Sequence, residues 1–150
     1  MTGGFEAFWV AHLRALRTAG VTVIRTQYHL RPTAGGIDAF DVRRLITLSQ
    51  HLPVRMIDPD SVAELDRDHW YFHGRSRPTP RSIVEHLRLV LAADLRYPII
   101  LDQDGRLMDG MHRVCKALLE GVREIPAVRF IEDPQPDFVN CDPDLLPYHD

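Results

Sequence analysis

Apolar residues recur at the three- and four-residue spacing of an amphipathic helix in four parts of the chain, at residues 5–18, 39–50, 79–94 and 110–120. Short aliphatic runs separate these parts and favour strands, at residues 21–25, 53–57, 99–101 and 122–130. The chain is therefore expected to contain both helices and short strands.

The helix at residues 39–50 has a recognisable start. Asp38 is a suitable N-cap residue, and Ile37 and Val42 stand at the spacing of a hydrophobic staple. The preceding segment, residues 27–36, contains a proline and two adjacent glycines and is predicted to be a loop.

Two starts fit the helix at residues 79–94. Thr79 with Pro80 at the first helical position is one, and Ser82 with Glu85 as a capping box is the other. The apolar stripe of this helix consists of Ile83, Leu87, Val90 and Leu91.

The most strongly patterned stretch is residues 97–113. A strand at 99–101 leads into the turn Gln103-Asp104-Gly105, the chain returns through a short second strand, and a helix follows. Asp109 is a suitable N-cap for that helix, and Gly121 stands where a helix-ending glycine belongs.

The predicted helix start at Asp109 has the features of an anion site. Unpaired amides and the positive end of the helix dipole attract a phosphate, and Gly110 allows close approach of the backbone. His112 and Arg113 add a titratable ring and a fixed, bidentate donor. Asp109 would repel a phosphate unless a divalent cation joins the two.

Composition limits the classes of protein to consider. The chain has 150 residues, 45% of them hydrophobic and 26% charged, which is typical of one globular domain. No apolar run is long enough to span a membrane, and the first residues lack the basic segment of a signal peptide. Two cysteines make no disulfide framework. We therefore expect a cytoplasmic protein. The net charge of −3 disfavours a broad nucleic-acid surface.

Residues 67–80 mix aromatic and basic side chains without a clear period, and loops of this kind often carry function. One interpretation is a lid packed down by its aromatic residues. In the other, an aromatic ring stacks on a base while an arginine reaches a phosphate or carboxylate; the candidates are Trp70, His73, Arg75 and Arg77. His69 and His73 have a metal-ligand spacing, but no third ligand follows.

The sequence Asp109-Gly110-Met111-His112-Arg113, placed after a β-turn-β and before a helix that ends at a glycine, resembles the ParB/sulfiredoxin-like superfamily. Segments 78–81, 85–86 and 93–113 look like small stand-alone bacterial ParB-like proteins. The resemblance implies an α+β fold with a core at residues 52–131 that has a small mixed sheet, a central β-turn-β and flanking helices. Residues 1–51 are then a helix-strand-helix extension and residues 132–150 an extended, acidic, proline-rich tail, within a single domain.

The resemblance also implies a function. In these families the loop and helix start hold nucleotide phosphates, which points to a Mg²⁺-dependent phosphotransferase or hydrolase acting on ATP, ADP or CTP and an unidentified small-molecule acceptor. Asp109 and His112 would then be catalytic, with Asp109 also holding the metal. Phosphate contacts would come from Gly110, Met111, His112 and Arg113, and from Thr79, Arg81 and Ser82 at the preceding helix start.

Two departures narrow this interpretation. Sulfiredoxins have a cysteine where this chain has Met111, so reduction of sulfinic acids is not expected. Segregation ParB proteins have Glu-Arg-Arg at the motif and continue into a helix-turn-helix, and we expect no helix-turn-helix within these 150 residues. In the resembling serine kinases an acidic residue after the first core strand serves the acceptor, and Asp58, Asp60 and Glu64 lie there without a motif that selects one.

Two alternatives remain at this point. The chain is a nucleotide-sensing or DNA-associated module without turnover, which strong salt dependence and a basic face would indicate. Otherwise Asp109 is only a cap, and Arg113 only pairs with an acid such as Asp94 or Asp102.

Overall fold

The computed structural model describes residues 26–72 and 76–148. The elements in chain order are β1 (Tyr28–Thr33), β2 (Gly36–Asp41), α1 (Val42–Ser49), β3 (Arg55–Ile57), α2 (Pro80–Ala92), β4 (Ile99–Leu101), β5 (Leu107–Asp109), α3 (Met111–Glu120) and β6 (Ile125–Arg129). Short 3₁₀ turns occur at Pro59–Ser61, Ala63–Asp66 and Pro143–Leu145. The described residues form two compact units, one within residues 54–132 and the other made of residues 26–53 and 133–148.

The unit at residues 54–132 is built on a four-stranded mixed sheet in the order β3-β6-β4-β5. β3 and β5 run antiparallel to their neighbours, whereas β4 and β6 are parallel and are joined through β5 and α3. Helices and mixed strands in one chain confirm the predicted α+β class. The predicted β-turn-β is the β4-β5 hairpin.

One apolar cluster lies between the sheet and α3. Its buried members come from strands β4, β5 and β6, from one face of α3 and from the residue between the first two 3₁₀ turns, and they are Val62, Ile99, Leu101, Leu107, Met111, Val114, Ala117, Ile125 and Ala127. Because both central strands contribute side chains that are almost fully enclosed, the start of α3 rests on a rigid base.

The β4-β5 turn is fixed by Asp102, whose side chain is fully buried. Its carboxylate accepts hydrogen bonds from the backbone N–H groups of Asp104 and Arg106 at 2.9 and 2.8 Å, and from Arg106 Nε at 2.8 Å. Gly105 takes a φ of 79°, as a glycine can at low cost. The turn predicted from Gln103-Asp104-Gly105 is therefore present.

Helix α2 begins at the first of the two predicted starts. Thr79 is the N-cap, and its hydroxyl accepts from the Ser82 N–H at 3.2 Å. Of the predicted apolar stripe only Val90 is buried, while Ile83, Leu87 and Leu91 are each about half exposed. The Lys116 ammonium donates to the carbonyls of Leu91 and Ala93, which ties this end of the helix to α3.

The second unit corrects the predicted elements at residues 27–50. Residues 28–41 form an antiparallel hairpin rather than a loop followed by a helix start, and α1 begins only at Val42. Asp41 is the N-cap of α1, not Asp38, and its carboxylate accepts from the Arg43 N–H at 2.9 Å. The prediction was wrong because the two adjacent glycines, taken as a loop signal, stand at the turn of a hairpin.

The acidic segment after residue 132 adds to this unit and forms no α-helix among its described residues. Ala39 N–H donates to the Phe138 carbonyl at 2.8 Å, and Arg31 pairs with Asp133 at 3.0 Å. The rings of Phe138 and Tyr148 both pack edge-on against Tyr28. These two rings therefore attach the segment to the β1-β2 hairpin.

The helix and strand predicted at residues 5–18 and 21–25 lie outside the described residues. Within residues 26–72 and 76–148, no helix combines the length and the apolar character that crossing a membrane requires.

Candidate functional site

The start of α3 differs from the predicted start by one residue. Asp109 is the last residue of β5, and the N-cap is Gly110, which makes no side-chain cap and has a φ of 113°. The Gly110 carbonyl accepts from the N–H groups of Arg113 and Val114, both at 3.0 Å. The prediction that Asp109 caps the helix is therefore wrong, because its strand backbone directs the carboxylate to another partner.

That partner is Arg113, one helical turn away. Arg113 Nη2 donates to Asp109 Oδ2 at 2.7 Å, and Arg113 Nη1 donates to the Pro98 carbonyl at 3.0 Å. The Arg113 side chain is only 15% exposed and that of Asp109 only 20%, so Arg113 is mostly buried although it lies in the first turn of α3. The two acids proposed as its partners bind other arginines, Asp94 with Arg96 and Asp102 with Arg106.

Gly110 is required by packing as well as by conformation. A Cβ at this position would lie 2.6 Å from Ile99 Cγ2 and 3.1 Å from Arg113 Nη2. The absent side chain therefore lets β4 and the guanidinium approach the helix start, in addition to any role toward a ligand.

The first two amides of α3 belong to Met111 and His112. Neither N–H donates to a described residue, as expected for the first turn of a helix. The Met111 side chain is buried in the apolar cluster, so only its backbone can meet a ligand. This helix start is thus a source of donors, whatever the ligand.

His112 is held in an aromatic cluster that joins three segments. Its Nε2 lies 2.9 Å from Nδ1 of His86 on α2, so that one ring donates to the other. The Trp70 indole lies across both rings, with centroid distances of 4.0 Å to His86 and 5.1 Å to His112 and interplanar angles of 18° and 17°. Tyr71 packs edge-on to His86, and its hydroxyl lies 2.8 Å from Ser82 Oγ.

Burial disfavours the charged form of the histidines in this cluster. Desolvation, followed by the proximity of His86, lowers the pKa of His112 to about 4, although the Asp109 carboxylate opposes the shift. Desolvation also lowers the pKa of His86 and of His69, whose ring lies edge-on to Trp70. His112 therefore offers a neutral imidazole, with one donor and one acceptor nitrogen.

The structure brings Trp70 to the motif, whereas the predicted contacts at the start of α2 lie farther along that helix. The N-terminus of α2 lies six residues before His86, or about 9 Å along the helix axis. Thr79 and Ser82 use their hydroxyl groups for the cap and for Tyr71, and Arg81 is exposed. Arg77 is also exposed, and His73 and Arg75 lie outside the described residues.

The metal prediction has limited support from side chains. Within residues 26–72 and 76–148, no three His, Cys, Asp or Glu side chains are grouped as a metal site. Asp109 Oδ1 makes no hydrogen bond to a described residue, so one carboxylate oxygen remains for a cation. A Mg²⁺ ion here would take its other ligands from phosphate oxygens and water, as this ion commonly does.

Two features escaped the sequence analysis. His86 is not among the residues of the predicted apolar stripe, although it stands four residues before the buried Val90 and so shares its face. Glu64, one of three unassigned acids after β3, has its Oε2 buried and without a hydrogen bond to a described residue, whereas Asp58 caps a 3₁₀ turn. The sequence does not show that this buried Glu64 oxygen lacks a hydrogen-bond partner among the described residues.

None of the family models, curated proteins or solved structures compared with the chain matches it. The description of this site therefore depends on its own residues and geometry.

Proposed function

We propose that this protein binds a nucleoside di- or triphosphate with Mg²⁺ at the start of α3 and transfers or hydrolyses a phosphoryl group. The observation that supports it is the gathering, at one helix start, of two amides that donate to no described residue, the Asp109–Arg113 pair and the ring of His112. The resemblance of the motif to phosphate-holding loops adds to this support.

Each group has a defined part in the proposal. The Met111 and His112 amides donate to phosphate oxygens, and the helix dipole favours the negative charge. Arg113 uses two of its N–H groups on Asp109 and Pro98 and has others left to donate, so it can remain paired while it neutralises phosphate charge. Asp109, through Oδ1, would hold the Mg²⁺ ion, which would supply positive charge to offset that of the phosphates.

Phosphoryl transfer depends mainly on positioning and charge neutralisation, so a small site of this kind suffices. His112 donates to a phosphate oxygen or orients the attacking hydroxyl. Asp109 orients the acceptor or holds the metal. The acceptor is a small molecule whose identity the chain does not specify.

A second candidate is a nucleotide sensor without turnover. It is favoured by the pairing of Asp109 with Arg113, which already neutralises the carboxylate a metal would need. Nucleic acid is less well supported as the ligand, because the chain carries a net charge of −3.

Calorimetric titration with ATP, ADP, CTP and GTP, with and without Mg²⁺, tests the proposal. We expect micromolar binding that requires Mg²⁺ and weakens at least tenfold in Arg113→Lys, which keeps the charge but loses the planar fork. Arg96→Lys is the matched control, because Arg96 pairs with Asp94 on the surface. Failure of every nucleotide to bind would overturn the proposal, and binding without phosphate release or transfer would favour the sensor.

A further inference from the structure

His86 and His112 form a nearly coplanar pair. Their planes differ by 25°, and His86 Nδ1 and His112 Nε2 face each other at 2.9 Å. Trp70 covers both rings at once and so restrains rotation of either one about its side-chain bonds. A hydrogen bond between two neutral imidazoles requires a proton on one inner nitrogen and a lone pair on the other.

The two outer ring nitrogens of the pair, His112 Nδ1 and His86 Nε2, make no hydrogen bond to a described residue. The pair therefore has two ends at which protons can enter or leave, joined by an internal hydrogen bond. One end, on His112, lies beside the first two amides of α3. The other end, on His86, belongs to the less buried ring.

The charges around the pair are few. From α3 and β5, Arg113 and Asp109 act on His112 with opposite signs, and from α2, Glu85 acts on His86. The segment that carries Trp70 contributes His69, which is itself influenced by Glu64 and Asp68. The two carboxylates acting directly on the pair, Asp109 and Glu85, act on different rings, so neither ring lacks a nearby negative charge.

We propose that His86 is a positioning residue for His112, and that the two rings together relay a proton from a ligand hydroxyl to solvent. The positioning part depends only on the geometry of the pair, whereas the relay rests on the proposed function.

Three proton transfers make up the relay. The ligand O–H bond breaks as its proton moves to His112 Nδ1, while the proton on His112 Nε2 crosses to His86 Nδ1. The proton on His86 Nε2 passes to water, and both rings end as neutral imidazoles of the opposite tautomer. The oxygen keeps the electron pair of its broken O–H bond and forms a bond to phosphorus with it, while the P–O bond to the rest of the nucleotide breaks and the shortened nucleotide leaves with that electron pair.

The relay explains how a weak base can serve here. Burial disfavours a cationic His112, so this ring alone would hold a proton poorly at neutral pH. Passing the charge onward to the more exposed His86 removes the need to hold it. A single buried histidine without this partner lacks that route.

The positioning role is tested by nitrogen-15 NMR of the histidine rings, without any nucleotide. In the wild-type protein we expect one dominant tautomer of His112 and a scalar coupling between its Nε2 and His86 Nδ1. His86→Phe keeps an aromatic ring under Trp70 but removes the nitrogen, and His112 should then populate both tautomers. If the His112 tautomer ratio is the same in the two proteins, the proposal is overturned.

His86→Asn is the second variant, for use also if the phenylalanine does not fold. Its amide can replace Nδ1 as hydrogen-bond partner, so the His112 tautomer should stay fixed, but it has no second ring nitrogen. We expect kcat to fall at least tenfold with KM unchanged, and His51→Asn, on the other unit, to have no effect. Unchanged kcat in His86→Asn would remove the relay and leave the positioning role.

These tests separate the two proposals. A fixed tautomer that depends on His86, in a protein that binds no nucleotide, would retain the positioning role and end the proposed function. If nucleotides bind but the His112 tautomer does not depend on His86, the positioning role is overturned and the proposed function stands.

Discussion

Arg113 Nη2 donates to Asp109 Oδ2 at 2.7 Å, across the junction between β5 and α3. Both side chains are mostly buried, and the guanidinium also binds the Pro98 carbonyl at the entry to β4. The pair therefore joins the two strands of the central hairpin to the helix that follows, besides placing opposite charges at the proposed phosphate site. The two roles predict different responses to mutation.

Replacing Arg113 with alanine is expected to lower both stability and affinity. The change leaves a partly buried carboxylate and a carbonyl without their donor, at a cost of about 1–3 kcal/mol in the free energy of unfolding. Chemical denaturation measures this cost. Adding Asp109→Asn to Arg113→Ala should recover part of it, because the unpaired charge is then removed; a strictly additive double variant would show that the pair is not coupled.

Asp109→Asn alone should abolish the Mg²⁺ dependence of nucleotide binding. Asparagine keeps the size of the side chain and an oxygen for Arg113 but loses the charge that a hard cation requires. Titrations at several Mg²⁺ concentrations give the result. Asp104→Asn, at an exposed carboxylate in the hairpin turn, is the control. Persistence of the Mg²⁺ dependence would make Asp109 a structural partner only.

Gly110→Ala should destabilise the fold by about 2–5 kcal/mol, combining left-handed strain with overpacking against Ile99. Gly121→Ala is the matched control, because Gly121 has a φ of 68° and a Cβ added there would meet no atom within 4 Å. It should cost only the conformational part, about 1–2 kcal/mol. Equal losses in thermal or chemical denaturation would show that the contact with Ile99 is unimportant.

Stability is expected to fall as the pH is lowered from about 6.5 toward 4. Burial holds the pKa of His112 at about 4 in the folded protein, below its ordinary value of 6.5, so the unfolded chain binds more protons in this interval. The contribution is fully present above pH 6.5 and is lost as the pH passes down to 4. Denaturant midpoints of the wild type and His112→Gln should converge over this range, since other groups titrate in both proteins. A constant difference would contradict the prediction.

The elements predicted correctly are those whose signals are local. The Gln103-Asp104-Gly105 turn, the Thr79 cap and the glycine at residue 121 each depend on neighbours within a few residues, so their chemistry can be read directly from the sequence. The hairpin at residues 28–41 was missed because the apolar spacing of residues 39–50 also fits a helix. Only pairing with Tyr28–Thr33 distinguishes the two structures.

The sequence by itself determined the α+β class, the central hairpin and the gathering of Asp109, Gly110, His112 and Arg113 at one helix start. The tertiary structure alone decided what each of these residues touches. Asp109 is an ion-pair partner rather than a helix cap because it ends a strand. His112 contacts His86 and Trp70 because α2 and the preceding segment pack beside α3. Contacts between residues distant along the chain are set by packing, which leaves no periodic or local signal in the sequence.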